Sequence, residues 1–236
     1  MTPPTLLEVS DIHTYIGQFH ILEGVSVSVP EGSITVLLGR NGAGKTTTLK
    51  SIIGLTPPRQ GEVRFNKQPI QGKRAHVIAR MGIGYVPEHR AIFSDLSVAE
   101  NLKIAERRPG DLDRKADLIF HLFPDLKRLY HLGGAKLSGG QQQMLTIARA
   151  LVPDNRLLLI DEPSEGLAPL LIEQMMHAIR ELSAHTTVLL VEQNFRMASQ
   201  LADYYVIIDD GRSVHSGRMS DLVQDSALVH RYLGAA

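Results

Sequence analysis

Cysteine and tryptophan are absent from these 236 residues. Without cysteine there is no disulfide, no zinc finger and no thiol nucleophile, and the composition fits a reducing compartment. Net charge is missing too: 25 basic residues balance 25 acidic ones. No global field therefore draws the chain to nucleic acid, although local basic patches remain open. Long apolar runs are also lacking. The longest, such as RLLLID and TTVLLVE, have strand length and fall far short of the roughly 18 residues of a membrane helix. The opening residues MTPPTLLEVSD hold neither a basic nor an apolar stretch, so no signal peptide is expected. Work at a membrane would then need a membrane partner.

What is present is the composition of a soluble globular protein, 43% hydrophobic and 21% charged, long enough for one large domain or a core with a subdomain. GVSVSVP (Gly24–Pro30) alternates with period two, as a half-buried strand does. GSITVLLG is a continuous apolar run ending in Gly39, as a fully buried strand does. KTTTLKSIIG reads as a helix stopped at Gly54, and TPPRQGEVRFNKQPI as an antiparallel hairpin. The stretch 88–136 carries helical patterns broken at RRPGD and HLGGA, and reads as a small helical subdomain. After Leu137 helices alternate again with the strands RLLLID, TTVLLVE and YYVIIDDG. That alternation predicts an α/β fold with a largely parallel sheet, its core formed by 1–87 and 137–236 of a single domain.

GRNGAGKT, from Gly39 to Thr46, satisfies every fixed position of G-x-x-x-x-G-K-[ST], after a buried strand and before a helix. Gly42 and Gly44 let the loop from Gly39 through Arg40, Asn41 and Ala43 curl so that its N–H groups face phosphate oxygens. Lys45 reaches the β- and γ-phosphates, Thr46 offers a hydroxyl to Mg²⁺, and Thr47 adds a contact to the α-phosphate. LLLIDEP delivers two carboxylates at a strand end, where open α/β sheets bind ligands. Asp161 is placed to hold Mg²⁺ through water, and Glu162 to take a proton from an attacking water. Two adjacent acids there could otherwise cap the next helix.

A second anion site stands at KLSGGQQQ, where Ser138 precedes a helical run. A phosphate loop, then LSGGQ (Leu137–Gln141), then LLLIDEP, resembles the ATP-binding cassette ATPases over nearly the whole chain, from about Leu6 to Gly234. The resemblance implies a RecA-like P-loop core with an N-terminal antiparallel β subdomain and an inserted helical subdomain. It implies ATP and Mg²⁺ as ligands and a head-to-tail partner cassette, identical or different. Ser138, Gly139, Gly140 and Gln141 would close over the γ-phosphate held by that partner. VPEHRAIFSDLSVAENL, DEPSEGLAP, LLVEQNF and YLG are similar to the ATPase subunits of branched-chain amino acid importers, with urea and short-chain amide importers as close alternatives. That similarity implies integral membrane permease subunits as partners, a solute-binding protein indirectly, and a place on the cytoplasmic face of the cell membrane.

Three positions depart from the cassette pattern. Glu88 stands where a glutamine is usual, and an acid there can still take Mg²⁺ or the attacking water. Gln193 replaces the switch histidine; it can donate a hydrogen bond to a γ-phosphate but carries no charge, which leaves the base role to Glu162. The adenine-stacking aromatic should precede the glycine of TYIGQ, where strict register puts Ile16. One residue flips a strand side chain to the other face, so Tyr15 stacks only if the loop is irregular. Phe93, in AIFSDL, is a candidate contact to the membrane partner or a residue packed inside the helical subdomain. A soluble cassette in translation or DNA maintenance is the competing class. It is disfavoured by the single cassette, the absence of a long insert and the neutral charge. NKQP (Asn66–Pro69) lacks the acid of a guanine-reading motif, which sets a GTPase aside.

Overall fold

The computed structural model describes residues 3–234. Its first part runs β1 (Thr5–Ile16), β2 (Phe19–Pro30), β3 (Ile34–Leu38), α1 (Lys45–Ile52), β4 (Gln60–Phe65), β5 (Gln68–Pro69), α2 (Ala75–Arg80) and β6 (Ile83–Val86). Helices follow: α3 (Val98–Lys103), α4 (Asp111–Leu122), α5 (Pro124–Arg128) and, after a 3₁₀ turn, α6 (Gly139–Leu151). The last part is β7 (Leu157–Asp161), α7 (Pro169–Leu182), β8 (Thr187–Val191), α8 (Phe195–Leu201), β9 (Tyr204–Asp209), β10 (Arg212–Arg218), α9 (Met219–Gln224) and α10 (Ser226–Leu233).

The continuous apolar runs become the middle of a six-stranded sheet ordered β10-β9-β3-β8-β7-β6, parallel except at β10. A strand sends alternate side chains to opposite faces, so each run feeds two cores. Ile34, Val36, Leu158, Ile160, Val188 and Leu190 face one apolar cluster, which also takes in α3 to α7 through residues such as Leu102, Ile119, Leu145 and Ile179. Leu37, Leu157, Leu159, Leu189 and Val191 face the other, shared with Leu49 and Ile52 of α1 and with the second sheet. That second sheet is antiparallel, ordered β2-β1-β4-β5. Its β4–β5 hairpin turns on Asn66 and Lys67, both at positive φ (49° and 64°), the pairing that matches strand twist in a two-residue turn. The sequence is silent on β10, whose residues are mostly exposed and carry no apolar alternation.

The helical stretch begins where Ser97 caps α3: its hydroxyl accepts the Glu100 N–H while the Glu100 carboxylate accepts that of Ser97. Because β6 and β7 are parallel neighbours, everything from Pro87 to Arg156 is one crossover between them. No helix of the described residues is long and apolar enough to cross a membrane.

Candidate active site

Four neighbouring strands deliver the site. β3, β8, β7 and β6 run parallel and side by side, so their carboxyl ends open on one edge of the sheet, where such sheets bind ligands. The phosphate-type loop leaves β3. Asp161 closes β7 and Glu162 follows it, Glu192 and Gln193 follow β8, and Glu88 lies two residues past β6.

The loop needs its glycines for space as well as for backbone angle. Gly39 has φ 150°, and a Cβ there would collide with the Ile208 carbonyl oxygen. Gly44 has φ 107° and would place a Cβ 2.7 Å from Leu22 Cδ2. The curled loop surrounds the Lys45 ammonium, which is 4% exposed and donates to the carbonyls of Gly39 at 3.0 Å and Arg40 at 3.1 Å. Its third neighbour is Glu162 Oε1, 3.4 Å away. The other Glu162 oxygen accepts a 2.6 Å hydrogen bond from Gln193 Nε2. Glu162 itself sits at φ 43°, a left-handed conformation that a non-glycine residue adopts at an energetic cost. The candidate base is thus held between two donors that a phosphate group could also engage.

Asp161 is fully buried. Its carboxylate accepts from the Thr46 hydroxyl at 2.9 Å and from the Tyr85 hydroxyl at 3.2 Å. Burial raises its pKa, the two hydroxyls pull it back, and the charges of Glu162 and Glu88 push it up again. Tyr85 is pushed well above the ordinary phenol value, first by burial and then by the Asp161 charge. Tyr85 was not singled out in the sequence. Its signal is its place in YVPE, three residues before Glu88.

A cleft of about 410 Å³ gathers most of the predicted residues, within the range of small-molecule sites. Asn41, Gly42, Gly44, Lys45, Thr46 and Thr47 form one wall. Ile16, Glu88, Glu162 and Gln193 complete it, joined by Ile21 and Glu165, which the sequence reading passed over. Arg40 turns its side chain outward and Ala43 is buried behind the loop, so both can offer only backbone there.

Tyr15 is a correction: the structure does not bring it into the cleft. β1 pairs Tyr15 with His20, and the two rings stack at 4.1 Å and 4° while the Arg59 guanidinium covers Tyr15 at 4.4 Å. The one-residue step that sends Tyr15 to that face turns Ile16, 49% exposed, toward the cleft. Ser138, Gly139, Gly140 and Gln141 are also outside it. They start α6 as a capping box, with the Ser138 hydroxyl accepting the Gln141 N–H at 3.3 Å and the Gln141 amide oxygen accepting that of Ser138 at 3.0 Å. The alternative that Phe93 packs inside the helical stretch is not what the structure shows. Phe93 is 48% exposed, with the Arg149 guanidinium over its ring at 4.7 Å.

Among the described residues no group of three or more His, Cys, Asp or Glu side chains could hold a metal by itself. The hydroxyl of Thr46 beside the carboxylate of Asp161 is instead a partial, hard-oxygen donor set. It fits Mg²⁺, which is commonly bound by one or two carboxylates together with substrate phosphates.

Known proteins resemble this chain in sequence and fold. The ABC transporter family profile matches residues 22–165. A high-affinity branched-chain amino acid transport ATP-binding protein of Pseudomonas aeruginosa is 39% identical over 232 residues, 97% of this chain and 100% of its own. A lipopolysaccharide export system ATP-binding protein of Acidithiobacillus ferridurans is 33% identical, across 91% of this chain and 90% of that one. The solved ADP conformation of an ATP-binding cassette of an ABC transporter superposes with a TM-score of 0.85 at 27% identity, covering 98% of this chain and 100% of that one. By its fold, its loop and these relatives, the chain belongs to the ABC transporter family and is an ATP-binding-cassette ATPase.

Proposed function

We propose that this ATPase powers the uptake of branched-chain amino acids, as a head-to-tail cassette pair docked to membrane permease subunits on the cytoplasmic face. The observation that carries the catalytic part is Glu162 held between Lys45 and Gln193. ATP would lie along the loop, with the adenine against Ile16 and the triphosphate over the N–H groups of Asn41 to Thr47. Mg²⁺, when bound through Thr46 and Asp161 with Glu88 nearby, would neutralise phosphate charge. As γ-phosphate oxygens recruit Lys45 and Gln193, the Glu162 carboxylate loses two competing donors and becomes free to accept the proton of an attacking water. Gln193 serves as a neutral phosphate contact.

Ser138 to Gln141 lie outside this cleft at the start of a 13-residue helix, which supports their closing over the partner's triphosphate. The helical stretch 88–136 is proposed as the docking subdomain, with Phe93 on its exposed surface. The choice of amino acids follows the 39% identity to the Pseudomonas protein along its whole length. Turnover in Glu162→Gln is expected to fall at least about 100-fold, and a variant that keeps most of its turnover would end the base assignment. Copurification with its permeases, followed by leucine and urea uptake in vesicles, tests the substrate; urea uptake alone would displace it.

A further inference from the structure

Glu192 closes β8's apolar run and is 2% exposed. Among the described residues it forms no ion pair, and its carboxylate is held by four hydrogen-bond donors. Ser164 gives its N–H at 3.3 Å to one oxygen and its hydroxyl at 3.0 Å to the other. The second oxygen also accepts the N–H groups of Gln193 at 3.2 Å and Asn194 at 3.3 Å. Burying a carboxylate without a cation is expensive, and the charge of Glu162 facing it from the end of β7 adds to the expense. Either turn alone could be capped by a neutral serine or asparagine. Only a group with two acceptor oxygens and no proton of its own answers all four donors, which come from two different turns.

The turn that Ser164 opens leads to Gly166, where a Cβ would lie 3.6 Å from the Arg90 guanidinium. That guanidinium, which makes no hydrogen bond or ion pair among the described residues, also lies against Gly139, the first residue of α6, where a Cβ would push it aside. Arg90 stands two residues past Glu88, which lines the cleft. Hydrogen bonds thus join the Gln193 turn through Glu192 to Ser164, and the Arg90 guanidinium lies beside both the turn that Ser164 opens and the start of α6.

We propose that Glu192 is a positioning residue that locks the Ser164–Gly166 turn to the Gln193 turn, and that Arg90 carries this lock to α6. On the reading given under Proposed function, the two ends of the chain of contacts are this molecule's nucleotide cleft and the face it offers to its partner's triphosphate. One site would then sense the other through a contiguous packed network.

Amide hydrogen exchange of the full chain without added nucleotide tests the lock directly. In Glu192→Gln one carboxylate oxygen becomes an NH₂ facing N–H donors, and exchange at Ser164, Gln193 and Asn194 is expected to quicken about tenfold. Unchanged exchange overturns the proposal. Arg90→Ala removes an exposed side chain, so folding is preserved, and tests the far end. Its turnover is expected to fall about threefold or more, with KM for ATP held within about twofold. Wild-type kinetics in Arg90→Ala would also overturn the link. A wild type that hydrolyses no ATP would sink the proposed function, while the exchange data would still decide whether Glu192 ties the two turns.

Discussion

Replacing Tyr85 by Phe removes one hydroxyl and nothing else. That hydroxyl donates at 3.2 Å to Asp161, a carboxylate with no exposure to water whose remaining side-chain donor is Thr46. Hydrogen bonds to charged groups contribute about 1.5–3 kcal/mol, and 3.2 Å is long beside the usual hydroxyl–carboxylate distance of about 2.6 Å. The loss should therefore sit near the lower bound, about 1.5 kcal/mol. For a chain of this size that lowers Tm by about 4 °C. The pH dependence has a definite sign. The hydroxyl favours ionised Asp161, so the variant's Asp161 pKa rises further above the ordinary value of 3.8, from which burial has already moved it. The stability deficit is full where Asp161 is ionised in both proteins, and disappears as pH falls through the wild-type folded value. Urea unfolding of both proteins from neutral to acid pH measures it. A deficit that stays constant into acid would refute the reasoning, because the lost bond would then not depend on the carboxylate's charge.

Gly39→Ala should destabilise by about 3 kcal/mol or more, since its φ of 150° and the Ile208 carbonyl leave no room for a methyl group; an unchanged urea midpoint would contradict this. Phe93→Ala should keep basal ATPase and lose transport in reconstituted vesicles, and unchanged transport would remove Phe93 from the docking surface. Asn101, fully buried, accepts the Phe93 N–H and donates to the carbonyls of Phe93, Leu96 and Ser97 at 2.9–3.1 Å. Asn101→Ala should therefore cost about 2–3 kcal/mol by thermal melt and release the same loop. Burial raises the Glu192 pKa above the ordinary 4.5, so the folded chain holds that proton to higher pH than the unfolded one. The stability of wild type relative to Glu192→Gln should therefore fall as pH rises from the ordinary glutamate range through the raised value, then level off. The opposite slope would contradict the buried-carboxylate account.

The parts of the site that the sequence displays are those built from neighbours along the chain. GRNGAGKT, LSGGQ and LLLIDEP each keep their chemistry within a few residues, and the buried strands announce themselves as apolar runs. What escapes is made by pairs far apart in sequence. Tyr85 meets Asp161 across 76 positions, and Ser164 meets Glu192 across 28. The choice between Tyr15 and Ile16 depends on strand parity at a place where β1 and β2 shift register, between Thr14 and Tyr15. Such an irregularity has no composition signature. Phe93 is legible as an aromatic but not as an exposed one, because its position is set by hydrogen bonds exchanged with Asn101 on the following helix.

The pairing of β6 with β7 has a further consequence. Their backbones lie one strand spacing apart, about 4.8 Å, and the sheet needs from the intervening chain only that it travel back and re-enter in the same direction. Its length and shape are otherwise unconstrained by the strands. On the docking role proposed for the helical stretch, a cassette could exchange that part of the excursion for another, fitting a new membrane component, while the four strand ends that hold the chemistry stay where they are. Grafting residues 91–132 from a cassette with a different permease would show whether the adaptor can be swapped without retuning the engine.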